Sequence, residues 1–125
     1  MTRTITLTGR APVRITEEQW PMVAIAEHAA WDNQYRFQAN RTWDGWVRAR
    51  CHADGRVLVY GCDAYASQFP DDAGYEIRAG YLLEAGADVC AAIERVAATI
   101  IAAGGGEYMR AVARECIGNL PAQEI

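Results

Sequence analysis

The chain has 125 residues, of which 51% are hydrophobic and 22% charged, and its formal net charge is −4. This length allows a single domain with its own core. The acidic balance argues against direct nucleic-acid binding, which depends on neutralising phosphates. No apolar run reaches the roughly 20 residues that a membrane span needs, and the N-terminus alternates like a strand instead of forming a signal peptide. We therefore expect a cytoplasmic protein without membrane contact.

The N-terminal part of the chain predicts two short strands. Residues 3–8 alternate threonines with apolar side chains, a pattern typical of a strand. Residues 13–15 form a second extended piece after a break that contains Gly9 and Pro12. Such an edge strand, over 4–8, could also pair with a second copy of the chain in a homodimer.

A helix is predicted next, from Thr16 to about Ala30. Thr16 and Gln19 stand at the spacing of a capping box, with two acids between them in the first turn. Helical spacing then places Trp20 and Trp31 on the apolar side of this helix. We therefore expect both indoles in the core.

The central stretch predicts a three-stranded antiparallel meander. Apolar and polar residues alternate over 34–40, 46–52 and 56–61, and the connections at 41–45 and 53–55 both end in Asp-Gly. An antiparallel sheet can bury one face and leave the other in water. The wet face is expected to carry Arg36, Gln38, Asn40, Arg48, Arg50 and His52, with Trp46 beside them.

The C-terminal half predicts a loop, a strand and two helices. Residues 63–74 contain the turn formers of a long loop, and residues 75–83 alternate like a strand. Asp88 is a good N-cap for a helix over 89–102, and a last helix is predicted over 107–118.

These elements predict one α+β domain over residues 1–125. Its centre is a four- or five-stranded, mostly antiparallel sheet with helices packed on one face, in the order ββαβββ(β)αα. The four cysteines are widely spaced and each lies in an apolar pattern. We therefore expect reduced, buried thiols.

The arginines and tryptophans of the meander form the candidate binding site. Arginine binds carboxylates and phosphates through paired hydrogen bonds, and tryptophan and arginine dominate the energetics of protein interfaces. The predicted site comprises Trp43, Trp46, Arg36, Arg48, Arg50 and His52. The alternative is that these strand arginines only pair with acids on neighbouring strands, such as Glu76.

Signatures of catalysis and metal binding are weak in this sequence. The two histidines, His28 and His52, fall on different predicted elements, and Cys51 and His52 point to opposite faces of one strand. The best candidate nucleophile is Cys62, which would need a nearby base and a partly exposed thiol. We expect no catalytic residue, no metal and no cofactor, and predict that the protein is not an enzyme.

Four stretches of the chain, ITLTGRAPVRI, WDNQYRFQANR, GRVLVYG and YEIRAGYLL, resemble small uncharacterised proteins carried by prophages and mobile elements of proteobacteria. Such accessory proteins include inhibitors of host defence, among them anti-CRISPR proteins, which usually bind a target without catalysing a reaction. The resemblance implies a protein that binds and inhibits a host defence protein in the bacterial cytoplasm. It assigns no functional residue.

A second class of function is consistent with the same residues. Arginines suit phosphates and tryptophans suit bases, so the protein could bind or sequester a small nucleotide signal, between sheet and helices or across a dimer. A nucleotide ligand is therefore the alternative to a host protein partner.

Overall fold

Six strands followed by two helices make up the protein, in a computed structural model that describes residues 1–32 and 40–122. The elements are β1 (Thr2–Ile5), β2 (Val13–Thr16), β3 (Met22–Asp32), β4 (Arg41–Cys51), β5 (Val57–Ser67), β6 (Tyr75–Leu83), α1 (Val89–Ala102) and α2 (Met109–Gly118). Strands β1 and β2 form a separate antiparallel hairpin, and β3 to β6 form a four-stranded antiparallel sheet in sequential order. The predicted α+β class is confirmed.

Both helices pack on one face of the four-stranded sheet, which we call the inner face. Inward side chains of β4 and β5, such as Val47, Ala49 and Val59, are fully buried against Ile93 and Val96 of α1. Helix α1 begins where the sequence predicts, because the Asp88 carboxylate accepts a hydrogen bond of 3.0 Å from the Ala91 amide. This layer holds the larger of two hydrophobic cores.

The opposite, outer face is covered only in part, by the β1–β2 hairpin and the turn that follows it. Ile5, Ile15 and Trp20 pack there over Leu58 and Tyr60 and form a second, smaller core. The rest of the outer face has no helix or strand of the described chain above it. One sheet therefore presents a helix-covered face and a face that is half covered.

Gly80 allows the chain after β1 to pass close to β6. The Thr8 amide donates a hydrogen bond of 2.8 Å to the Gly80 carbonyl, and a Cβ atom at Gly80 would lie 2.2 Å from the Thr6 carbonyl oxygen. We expect Gly80→Ala to lower the free energy of unfolding by about 2 kcal/mol, measured by urea denaturation. Gly118→Ala is the control, since a Cβ there meets no described atom within 4 Å. Equal stability of the two variants would contradict this packing.

The helix predicted over 16–30 is wrong, since most of this segment is strand β3. The apparent capping box forms only a short turn, in which the Gln19 amide donates to the Thr16 carbonyl, and Pro21 then cannot continue a helix. From Ala24 onward the small side chains alternate between the two faces and pair with β4. Pairing along a long strand outweighs the helix propensity of alanine.

Several other boundaries also differ from the predictions; for example, β1 ends at Ile5 and not at residue 8. The turn predicted at 41–45 lies within β4, and the loop predicted over 63–74 begins only after Ser67, because β5 continues to that residue. Side chains alternate between the two faces of the sheet in both segments, and pairing between β4 and β5 outweighs local turn signals such as Asp44-Gly45. The strand predicted over 34–40 lies outside the described residues apart from Asn40.

Candidate binding surface

The predicted site residues do not share one surface. Trp46, Arg48 and Arg50 lie on the outer face, because Val47 and Ala49 between them are buried under the helices. Trp43 lies on the inner face, where its ring contacts Tyr65 at 5.0 Å between centroids. His52 follows the end of β4, and its ring lies 4.9 Å from that of Trp20. Arg36 is outside the described residues. The predicted turn between Trp43 and Trp46 is absent, because both residues lie within β4.

The expectation that Arg50 is exposed is wrong, since only 5% of this residue is accessible. Its Nε donates a hydrogen bond of 2.7 Å to the Tyr60 hydroxyl, and its Nη1 donates one of 3.0 Å to the Trp20 carbonyl. The carboxylate of Glu17 lies 3.8 Å from Nη2. Arg50 therefore stabilises the covered half of the outer face and is not available to a partner.

Arg48 lies at the border between the half of the outer face that the hairpin covers and the half that it leaves open. We call the second the open half; it includes Ile25, Glu27 and Trp31 of β3. Its guanidinium carbon is 4.3 Å from the centroid of the Trp46 ring, a cation–π contact. Its nearest acid is Glu27 on β3, at 3.6 Å from Nη2. The Nε atom of Arg48 is buried and has no hydrogen-bond partner within residues 1–32 and 40–122.

Arg78 joins the same group from β6. Its guanidinium carbon lies 5.9 Å from the Trp46 centroid, and Cys62 stands between Trp46 and Arg78 in the register of the sheet. The sequence patterns do not identify this contact, because it depends on the register of two strand pairs. Burial raises the pKa of Cys62, so this thiol stays protonated near neutral pH and is a poor nucleophile.

An arginine-lined cleft opens where the hairpin meets the sheet. It has a volume of about 140 Å³ and is lined by Arg3 of β1, Arg48 of β4 and Arg78 of β6. Trp46 and Tyr60 form part of its wall, with their rings edge to face at 5.7 Å. Arg3 was not among the predicted site residues, since no local pattern places the hairpin over this part of the sheet.

Exposed apolar side chains extend the open half of the outer face along β3. Trp31 is 69% exposed and Ile25 is 38% exposed, on the same face as Glu27. The expectation that Trp31 lies in the core is therefore wrong, whereas Trp20 is buried as expected. The open outer face thus combines a large apolar ring with arginines and acids.

The inner face contains a buried carboxylate, that of Asp63, at the end of the sheet where α2 begins. Asp63 accepts hydrogen bonds from the Tyr75 hydroxyl at 3.0 Å, from the Gly106 amide at 2.8 Å and from the Tyr108 hydroxyl. The residue is completely buried. This cluster connects β5, β6 and the start of α2, and its donors fully explain the carboxylate as a structural group.

Alkaline pH is expected to destabilise this cluster. Burial, and then the hydrogen bond to Asp63, raise the pKa of Tyr75 to about 12, and the same causes raise the pKa of Tyr108. Both tyrosines therefore stay protonated in the folded protein at a pH where unfolded tyrosines ionise. The contribution of Tyr75 to stability is complete below about pH 10 and is lost as the pH rises through about 12, and that of Tyr108 is likewise lost only at alkaline pH.

Urea denaturation at a series of pH values from neutral upward would measure this loss. The variant Tyr75→Phe should be less stable than wild type at neutral pH but should lose stability less steeply above about pH 10, since it has one fewer shifted phenol. Parallel curves for variant and wild type would show that the shift in Tyr75 is absent.

Other chemistry is limited in the described part of the chain. Within residues 1–32 and 40–122, no group of three or more His, Cys, Asp or Glu side chains is arranged to hold a metal ion. Cys62 and Cys116 are buried as expected, whereas Cys51 is only partly buried and Cys90 is exposed. No helix among the described residues has the length and hydropathy required to cross a membrane.

Comparison of the chain with models of protein families, with curated proteins and with solved structures finds no match.

Proposed function

We propose that the protein is a binding protein that engages a partner protein through the open half of its outer face. The observation that carries this proposal is the exposure of Trp31, at 69%, on the same sheet face as the arginine-stacked Trp46. A protein that buries one half of a sheet face under its own hairpin and leaves an indole exposed on the other half has a candidate interface there.

The composition of this half supports a protein partner. Interface centres are rich in aromatic residues and arginine and are surrounded by polar groups. Here Trp31, Ile25 and Trp46 supply the apolar area, and Arg48 and Arg78 supply donors. The acids Glu27 and Glu76, which pair with these arginines at 3.6 and 2.8 Å, supply the polar rim.

The class of partner follows from the resemblance to proteins of prophages and mobile elements. We infer that the partner is a protein of the bacterial host and that binding inhibits it, with a defence protein as the first candidate. The mechanism is occupation of a partner surface, since neither the buried Asp63 nor the protonated Cys62 offers a reactive group at the outer face.

Affinity capture from the bacterial host, followed by measurement of the affinity for the captured partner, tests this function. We expect Trp31→Ala and Trp46→Ala each to weaken binding by at least about tenfold, the loss typical of an interface hot spot. The control is Arg110→Ala on α2, where the side chain is 58% exposed on the opposite side of the molecule. Unchanged affinity of both tryptophan variants, with their folding intact, would remove the open outer face as the interface.

A further inference from the structure

The cleft between the hairpin and the sheet has the composition of an anion site. Three arginines and two threonines line it, and none of the described residues in its wall is acidic. The lining residues are Arg3, Thr4, Ile5, Thr6, Trp46, Arg48, Tyr60, Gly61, Arg78 and Ala79. Protein walls have a low dielectric constant and focus the electric field of the charges that line a cleft. A cleft lined by several guanidinium groups and by no carboxylate therefore attracts anions.

Arg48 lines the cleft and also carries a buried, unsatisfied donor. Its side chain is only 20% exposed, and its buried Nε has no partner among the described residues. Leaving such a donor unpaired is costly, so Arg48 is held in the wall of the cleft at a cost that no hydrogen bond to its Nε within the described residues offsets. The stacking on Trp46 at 4.3 Å fixes the guanidinium before any ligand arrives.

Arg3 and Arg78 can also donate into the cleft. Arg3 pairs with Glu17 through Nε at 2.7 Å, and Arg78 pairs with Glu76 through Nη2 at 2.8 Å. Each of these contacts uses one N–H group of a guanidinium that carries several. The partner acids do not line the cleft, so they hold the arginines in place from outside it.

We propose that this cleft is a binding site for a phosphate monoester group. A phosphate monoester has three strong acceptor oxygens and carries close to two negative charges at neutral pH. It can therefore accept from three guanidinium groups at once, whereas a carboxylate offers only two oxygens. The volume of about 140 Å³ is similar to that of a cavity that holds one benzene molecule. The cleft therefore admits the phosphate but not a whole nucleotide, whose base and sugar would extend over the open outer face.

Calorimetric titration of the protein with adenosine monophosphate, and with adenosine as the uncharged match, tests the site. We expect the monophosphate to bind with a dissociation constant on the order of 1 mM or below and adenosine not to bind. Arg78→Gln should weaken binding of the monophosphate about tenfold, because it removes a charge-assisted hydrogen bond. Arg110→Gln makes the same change of charge on the far side of the molecule and should leave binding unchanged.

A direct readout on the wild-type protein accompanies the variants. The Nε–H signal of Arg48 in a nitrogen–proton NMR spectrum should shift on titration with the monophosphate and should not shift with adenosine. Equal binding of monophosphate and adenosine, or equal weakening by Arg78→Gln and Arg110→Gln, would overturn the site. So would an unmoved Arg48 signal at saturating monophosphate.

Titration with a phosphoserine peptide and with its unphosphorylated form shows whether the phosphate belongs to a protein or to a small molecule. Tighter binding of the phosphopeptide than of the monophosphate would assign the site to a modified partner, and the reverse order would assign it to a small phosphorylated molecule. Both orders support the phosphate site. Because these titrations need no partner protein, failure of the partner capture above would leave the outcome here unaffected.

Discussion

Replacing Asp63 with alanine is expected to lower the free energy of unfolding by about 4 kcal/mol. The carboxylate is fully buried, and its removal leaves the hydroxyls of Tyr75 and Tyr108 and the amide of Gly106 without their common acceptor. Three partly buried donors then lose charge-assisted hydrogen bonds, and a void forms beside α2. A loss of this size is a large part of the stability of a small domain.

Urea denaturation of two further variants separates the hydrogen bonds from general effects of charge. Asp63→Asn should lose only about half as much, because its amide oxygen can accept from Tyr75 and Gly106 while its amide nitrogen donates to the Tyr108 hydroxyl oxygen. Asp71→Ala, in the exposed loop after β5, removes the same charge without a buried contact and should change stability little. If Asp63→Ala were as stable as Asp71→Ala, the buried carboxylate would not hold these elements together.

The role of Asp63 shows what the sequence could not reveal. Local patterns place this residue in a loop next to Cys62, whereas its partners lie 12, 43 and 45 residues further along the chain. Such a site depends on how α2 docks on β5, and no spacing rule contains that information. By contrast, Tyr75–Leu83 and Val89–Ala102 are strand and helix with the predicted bounds, because alternation and an N-cap are local signals.

The candidate site shows the same contrast between features that local patterns predict and features that depend on distant residues. Alternation correctly places Arg48 and Arg50 on one face of β4, since that property is local. Whether the face is covered depends on the hairpin, which comes from residues far away in the sequence and lies over Arg50 but only borders Arg48. The same distance explains why no local pattern identifies Arg3 as part of this surface. Trp31 is exposed and not in the core because its segment is strand β3 and not the predicted helix.

Arg50→Ala is accordingly expected to be strongly destabilising, by about 3 kcal/mol in the free energy of unfolding. The side chain is buried, and its loss leaves the Tyr60 hydroxyl and the Trp20 carbonyl without hydrogen bonds of 2.7 and 3.0 Å. These two partners belong to the small core under the hairpin. Urea denaturation, with hydrogen exchange of the β1 and β2 amides, should show the hairpin loosening first.

Arg48→Ala provides the matched comparison, because it removes the same side chain two residues earlier on the same face. It should change stability by less than about 1 kcal/mol, since it also removes the unpaired buried Nε and only a long ion pair to Glu27. It should nevertheless weaken partner or phosphate binding, whereas any loss of binding in Arg50→Ala should follow its loss of folded protein. If Arg48→Ala proved the more destabilising change, the arginine assigned to recognition would instead be the one that maintains the fold, and the open outer face would lose its charged centre.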